Sequence, residues 1–453
     1  MCASTWYPAF GTQSSSSPLT AKYEWTQLEF DYATEAEREQ AIANGDFSQI
    51  SLAPIDVDVY HEGNKKSKIF VTIPRFPTGV PATLGTVTDK MRDGNPIIAP
   101  YPSWSWHQNL NDCLPDRIVS VFRVKIDECG RLWVLDAGRI VDTRICPAQL
   151  LVFDVQTNEL LDRYEIPNDQ LYSNSILVTP IVDVRDPHTG CRDTFVYMAD
   201  CQAMSLIVYD MQRKTSWRII DKTMYPSPEF GTYHLAGQEF ELMDGLLGMD
   251  LSPYKSGEDR ILYYHAMSSN TEHRVYTSLI RNQSIFIHDP TAAPQIFYTY
   301  PGRRSTQAPA QAIDKNGISY FGLVSDMSMN CWNTAADYGE RNIGVLAQSN
   351  RLLQFASGVK VINNRRGAQE LWVVTMRFQK LATGTVNPSE TNFRILKANI
   401  EDLTRGSKCL NVPPNQNHRP NKGQGNRPSY AGSGYGYGRN SKREINPIVF
   451  PDS

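Results

Sequence analysis

The feature that most narrows the folds open to this chain is a hairpin repeated six times. Its clearest copy covers residues 119–137. Val119, Val121, Val124 and Ile126 are β-branched and suit a pleated strand. Asp127-Glu128-Cys129-Gly130 forms a turn in which Gly130 is free to take positive φ. Leu132, Trp133, Val134 and Leu135 then resume a strand that ends at Asp136. The same grammar returns at 55–60 with 69–73, 181–184 with 194–200, 247–251 with 261–265, 312–317 with 318–323, and 359–362 with 370–374. Further apolar runs at 150–155 with 160–166, 206–210 with 217–220, and 284–289 with 295–300 read as outer hairpins of the same units. One such unit cannot bury both faces of its sheet, whereas six packed radially can. The chain is therefore predicted to be all-β, a six-bladed β-propeller with four-stranded blades. A β-sandwich with added domains would not produce six matched hairpins.

The propeller is expected to occupy residues 22–411 of the 453. Residues 1–21 read as a disordered, Ser-rich leader without the basic and apolar regions of a secretory signal. Residues 34–42 have helical propensity, with Thr34 as N-cap and Glu37 three residues on. Residues 412–453 are rich in Pro, Asn, Gly and Tyr, with Gly434-Tyr435-Gly436-Tyr437-Gly438 among them, and read as a disordered tail. Tyrosines in such a setting suit either a solvated linker or oxidative crosslinking.

A net charge of −3 argues against nucleic-acid binding. No apolar run reaches the length of a membrane-spanning helix. The eight cysteines include no CxxC pair, and their scatter fits two or three disulfides of a secreted protein or free thiols of a cytosolic one. Asn282-Gln283-Ser284 is an N-glycosylation sequon. Zincin, serine-hydrolase, dinucleotide and P-loop motifs do not occur.

Several ordered motifs carry a resemblance. They are Pro100-Tyr101-Pro102-Ser103-Trp104 with Trp106-His107, the run from Ile126 through Gly138, and Tyr197-Met198-Ala199-Asp200-Cys201. Asp244-Gly245 with Gly248-Met249, Cys331-Trp332-Asn333, Glu370-Leu371-Trp372-Val373-Val374 and Asn392-Phe393-Arg394-Ile395 follow. Together they resemble the yellow / major royal jelly protein family of insects over roughly residues 22–412. The resemblance implies a secreted, extracellular, six-bladed propeller active in cuticle pigmentation, melanin formation or eggshell hardening. One implied activity is the conversion of dopachrome to dihydroxyindoles. The alternative is a non-catalytic binder of small aromatic amines, or a structural protein of a cuticle or eggshell matrix. In amine-binding relatives an Asn and an aromatic are expected after the sixth inner hairpin. Here Phe378 matches the aromatic, and Met376 stands where the Asn would be.

In a propeller, residues that follow each second strand converge at one mouth of the central channel. Arg75, Phe76, Asp136, Asp200, His265, Asp326, Arg377 and Phe378 hold those positions. Ser120, Thr179, Asp244, Gln311 and Ser357 approach from the start of the first strands. His265, Asp136 and Asp200 are the candidate catalytic groups, His265 because an imidazole titrates near neutrality. Arg75, Phe76, Thr179, Asp326, Arg377 and Phe378 are the candidate ligand contacts, suited to a planar catechol, dopachrome or a biogenic amine. The loop 268–277 is a candidate cover for the mouth. A divalent cation would have to use Asp136, Asp200 and Asp326, without the Asn-Gly that lactonase-type propellers place before an inner strand. No metal and no cofactor is therefore expected.

Overall fold

The computed structural model describes residues 19–63 and 65–410. The predicted tail and most of the predicted leader lie outside these residues.

Six sheets are arranged as blades, each with antiparallel strands in simple up-and-down order. Their innermost strands are Asp56–Tyr60, Val121–Ile126, Leu177–Val184, Leu246–Leu251, Gln311–Ile313 and Phe355–Asn363. Each of these touches the next, and the sixth touches the first, so the ring closes. Blade 1 carries a fifth short strand, Glu29–Phe30, parallel to its outer strand Asn95–Pro100. The fold is the six-bladed propeller that the repeated hairpin predicts.

The recurring aspartates have a physical role. Asp127 accepts from the backbone N–H of Cys129 (2.9 Å) and Arg131 (3.0 Å), and Asp314 does the same for Asn316 (2.8 Å) and Ile318 (2.9 Å), so each side chain ties its own turn. Asp58 reaches across to the N–H of Ile126 (2.8 Å) in the next blade, and Asp250 to that of Ile313 (2.6 Å). An innermost strand has one unpaired edge facing the channel, and these carboxylates satisfy part of it. Trp133 is fully buried among residues of blades 2 and 3, its indole N–H donating to Asp127 at 2.7 Å.

The ring is locked by a strand from the other end of the chain. Thr20–Trp25 pairs with Phe393–Asn399 and becomes the outermost strand of blade 6. It begins inside the stretch predicted as leader. Trp25 is 1% exposed, and its indole N–H donates to the carbonyl of Pro96 in blade 1 at 2.7 Å, joining first and last blades. Among the described residues three disulfides form: Cys113–Cys146, Cys129–Cys191 and Cys331–Cys409. The second ties the turn of blade 2 to that of blade 3, and the third ties blade 5 to the segment after blade 6.

Two local expectations are corrected in blade 4. Residues 284–289 are not a strand: Gln283–Phe286 is a short helix, and the outer strands are His273–Tyr276 and Tyr298–Thr299. Asp259 accepts from the backbone N–H of Ser278 (3.1 Å) and from its hydroxyl (2.6 Å), which starts a helical excursion at Thr277. Phe286 is buried and Ile287 is 55% exposed, so the apolar run was one anchor and one surface residue rather than a buried strand. The stretch 268–277 is likewise not a cover for the mouth, because it contains that outer strand. The helix expected at 34–42 spans Glu35–Asn44, with the Thr34 hydroxyl accepting from the Glu37 N–H at 3.2 Å.

Candidate functional site

A cavity of about 230 Å³ opens at the mouth where the innermost strands begin. Its walls are apolar and aromatic. Phe76 lies parallel to Phe122 (6.4 Å, 18°), and Phe378 stacks on Phe355 (4.7 Å, 21°). A two-stranded hairpin, Thr232–Leu235 with Gln238–Glu241, roofs one side, its Phe240 meeting Phe378 edge-on at 5.3 Å. The only carboxylate on the wall, among the described residues, is Asp244. It accepts from Gln202 and lies beside the thiol of Cys201, the one free cysteine of the described residues. Burial pushes the Asp244 carboxyl above the usual range, against the two neighbouring donors, and burial and Asp244 push the Cys201 thiol well up.

Arg123 forms the floor. Its guanidinium donates to the Thr179 hydroxyl (2.7 Å) and to the carbonyls of Leu247 (3.2 Å), Pro309 (2.9 Å) and Ser357 (2.7 Å). One side chain from blade 2 thus pins blades 3, 4, 5 and 6 across the axis. Below it the channel narrows to about 20 Å³, the room of about one water. Lys360 meets Asp56 there at 2.9 Å.

Backbone irregularities aim these side chains. Four innermost strands are bulged where they enter the channel: between Val121 and Val124, Leu177 and Pro180, Leu246 and Gly248, and Ala356 and Gly358. The extra residues include Phe122, Arg123, Val178, Thr179, Leu247 and Ser357, all of them lining residues. A bulge inserts one residue and changes the face on which the following side chains emerge.

The candidates named from sequence separate into two groups. Phe76 and Phe378 line the cavity, and Thr179 lies just beneath it against Arg123. The others have partners elsewhere. Asp136 accepts from the N–H of Val119, Ser120 and Gly138 and from Gln149, holding the loop at the head of blade 2. Asp200 accepts from the Ile176 N–H at 2.9 Å and pairs with Arg218 at 2.7 Å. Arg377 pairs with Glu390, and the Asp326 carboxylate accepts from the Ser305 hydroxyl. His265 is 1% exposed, with Nε2 on the carbonyl of Ala308 (3.0 Å) and Nδ1 on Glu272 (2.8 Å). A carbonyl cannot donate, so Nε2 carries a proton, and a second proton is shared between Nδ1 and the Glu272 carboxyl or lies on one of them. Burial raises Glu272 to about 8, against the opposing pull of Arg304 at 3.7 Å, and drives His265 well down. Gly248 makes room for the ring: a Cβ there would stand 2.2 Å from Nε2.

Arg75 is buried, its guanidinium donating to the carbonyls of Val80 (2.9 Å), Pro81 (2.9 Å), Ile118 (3.2 Å), Val119 and His107 (3.3 Å). His107 beside it is held neutral, its pKa pushed down to about 3 by burial and by Arg75. Its folded pKa lies below the unfolded value of about 6.5, so its stabilisation is present above pH 6.5 and is lost as pH falls toward 3. A His107→Gln variant should flatten the pH dependence of unfolding free energy between pH 4 and 6 by about 1.4 kcal/mol per pH unit. Urea titrations at several pH values measure this; an unchanged slope would show that His107 is not buried neutral.

Comparison with known proteins decides the family. The model of the family described as Major royal jelly protein matches residues 119–409. Major royal jelly protein 9 of Apis mellifera is 36% identical over 408 residues, covering 87% of this chain and 90% of its own. The chain belongs to the yellow / major royal jelly protein family. Dopaminechrome tautomerase of Drosophila melanogaster is 31% identical over 402 residues, covering 87% of this chain and 85% of its own. Protein yellow of the same species is 31% identical over 401 residues, covering 86% and 70%. In this yellow-family propeller, sequence reasoning passed over Arg123, Phe122, Phe355 and Cys201, and gave Asp244 a place at the mouth without a role. One signal was present for Arg123, a cation inside the otherwise apolar run Val121-Phe122-Arg123-Val124.

Proposed function

We propose that the mouth cavity binds a small flat quinone derived from a catecholamine, of the dopaminechrome type, and isomerises it to a dihydroxyindole. The observation that carries this reading is an aromatic-walled cavity with, among the described residues, a single carboxylate, Asp244, on its wall. The relative named Dopaminechrome tautomerase supports it. In this isomerisation two carbon-bound protons of the saturated ring move to the two quinone oxygens, and no electrons leave the molecule. A base at the ring edge and stacking on the ring faces are what it requires. Asp244, held above the usual carboxylate range, takes the first carbon-bound proton. Phe76, Phe122 and Phe378 flank the ring.

The same geometry favours a substrate without a carboxylate. Arg75 and Arg377 are engaged by other groups, and all four terminal N–H of Arg123 have partners. Dopaminechrome should therefore react faster than dopachrome, which carries a carboxylate. Mixing the purified protein with each and following the loss of visible absorbance tests both statements. No acceleration over buffer with dopaminechrome would sink the enzymatic reading. A calorimetric titration showing binding without turnover would leave a non-catalytic aromatic binder.

A role outside the cell, in pigment or cuticle formation, rests on the relatives named yellow, on the three disulfides, which persist in oxidising compartments, and on Asn282, exposed for glycosylation. Among the described residues no helix is long and apolar enough to cross a membrane.

A further inference from the structure

The motif around Trp104 plays no part in the axial cavity. It lies instead in a surface groove between the N-terminal helix and the loops 77–81 and 104–111. Two adjoining cavities of about 650 and 680 Å³ share Tyr32, Ala41, Asp46, Trp104 and Gln108 as walls. We infer that this groove is a second ligand site and that it takes a neutral oligosaccharide.

Three observations carry the inference. The first is an aromatic platform. The rings of Trp104 and Tyr32 pack at 4.7 Å, tilted by 36°, and the Trp104 indole N–H is fixed on the carbonyl of Asp31 at 3.0 Å. Sugar rings present faces of C–H groups that pack on such surfaces, with hydroxyls projecting around the rim. Gln108, Asn109 and Asn111 supply amides there, and Asp46 a carboxylate.

The second is a pair of unpartnered polar groups in the wall. His107 is 4% exposed and donates through Nε2 to the carbonyl of Tyr101 at 2.9 Å. Nδ1 is therefore an acceptor, and it has no partner. The Tyr32 hydroxyl has none either. A buried polar atom left unpaired is unfavourable, and both atoms lie just beneath the groove surface, where a small turn of either ring would let a ligand group complete the bonding. One wants a donor and the other is itself a donor. Hydroxyl groups, which both donate and accept, match the two.

The third is the charge and rigidity of the walls. Among the described residues Arg75 is the only cation lining the groove, and its N–H groups are taken up by the loop carbonyls. With Asp46 and Glu37 lining the groove, an anionic ligand is disfavoured. Those Arg75 bonds and the Cys113–Cys146 disulfide hold both loops, so the groove is shaped before any ligand arrives.

Titration of the full-length protein with chitotetraose, cellotetraose and maltotetraose, followed by calorimetry and tryptophan fluorescence, tests the inference. At least one should bind. Trp104→Ala should weaken that binding at least about tenfold, while Phe378→Ala, in the axial cavity, should leave it unchanged. Gln108→Ala, an exposed substitution, serves as a second variant should the tryptophan change impair folding; it should weaken binding by a few-fold. No signal from any of the three sugars up to about 10 mM would overturn the proposal. So would binding that both groove variants retain, and so would a groove that responds to dopamine and to no sugar. None of these outcomes depends on turnover in the axial cavity.

Discussion

Replacing Arg123 with methionine is expected to cost the propeller about 2–6 kcal/mol, since each buried acceptor left without a donor costs about 1–3 kcal/mol and two carbonyls are left so. The size follows from what remains. The Thr179 hydroxyl and the carbonyls of Leu247, Pro309 and Ser357 all lose the guanidinium as donor, and a buried acceptor left without one is costly. The Thr179 hydroxyl keeps its own bond to the Leu247 carbonyl at 2.8 Å, so the Pro309 and Ser357 carbonyls bear most of the loss. Arg123→Lys should recover only a minor part, because an ammonium cannot present four N–H groups in a planar fork to four blades. Urea denaturation measures the effect as a lower midpoint with an unchanged slope. A loss below about 1 kcal/mol for the methionine variant would show that strand contacts, not the guanidinium, hold the ring at its axis.

Asp244→Asn is expected to reduce turnover of dopaminechrome by about 10²–10⁴-fold, the usual contribution of a positioned general base, while leaving binding nearly unchanged. The amide keeps the oxygen that accepts from Gln202, so the cavity wall should persist. In the unsubstituted protein kcat should rise with pH through a pKa above the ordinary carboxylate range, because burial destabilises the charged form of Asp244. The variant should lose that step. Full activity in Asp244→Asn would remove the carboxylate from the mechanism, whereas lost binding together with lost turnover would make Asp244 a ligand contact rather than a base.

Much of the architecture was legible because it is written in short range. A period-of-two apolar run, a turn with glycine at positive φ and an aspartate that ties it are local events, and their sixfold return leaves few ways to bury both faces of each sheet. Failure came where a local pattern was ambiguous. Ser284-Ile285-Phe286-Ile287 is as apolar as a strand, and only its neighbours show that Phe286 is an anchor and Ile287 a surface residue.

The site was less legible, for a reason of geometry. Residues at the ends of second strands do converge at the mouth in sequence terms, yet Asp136, Asp200 and Arg75 turn toward backbone groups of adjacent loops, whose orphan N–H and C=O must be satisfied. His265 turns into its own blade, where Gly248 leaves space. The groups that do reach the axis come from bulged starts of innermost strands. A bulge shifts which face a side chain occupies, and strand alternation carries no record of it.

The sequence by itself determined the blade count, the turns and the pairing of each inner hairpin, because all depend on contacts between residues close along the chain. Only the tertiary structure decided how the ring closes. Thr20–Trp25 meets Phe393–Asn399 across almost the whole chain, and a strand of mixed polarity carries no mark of a partner that distant. It also decided that Arg123 is the axial pin and that, among the described residues, Asp244 is the one acid in the cavity, since both roles exist only where six blades meet.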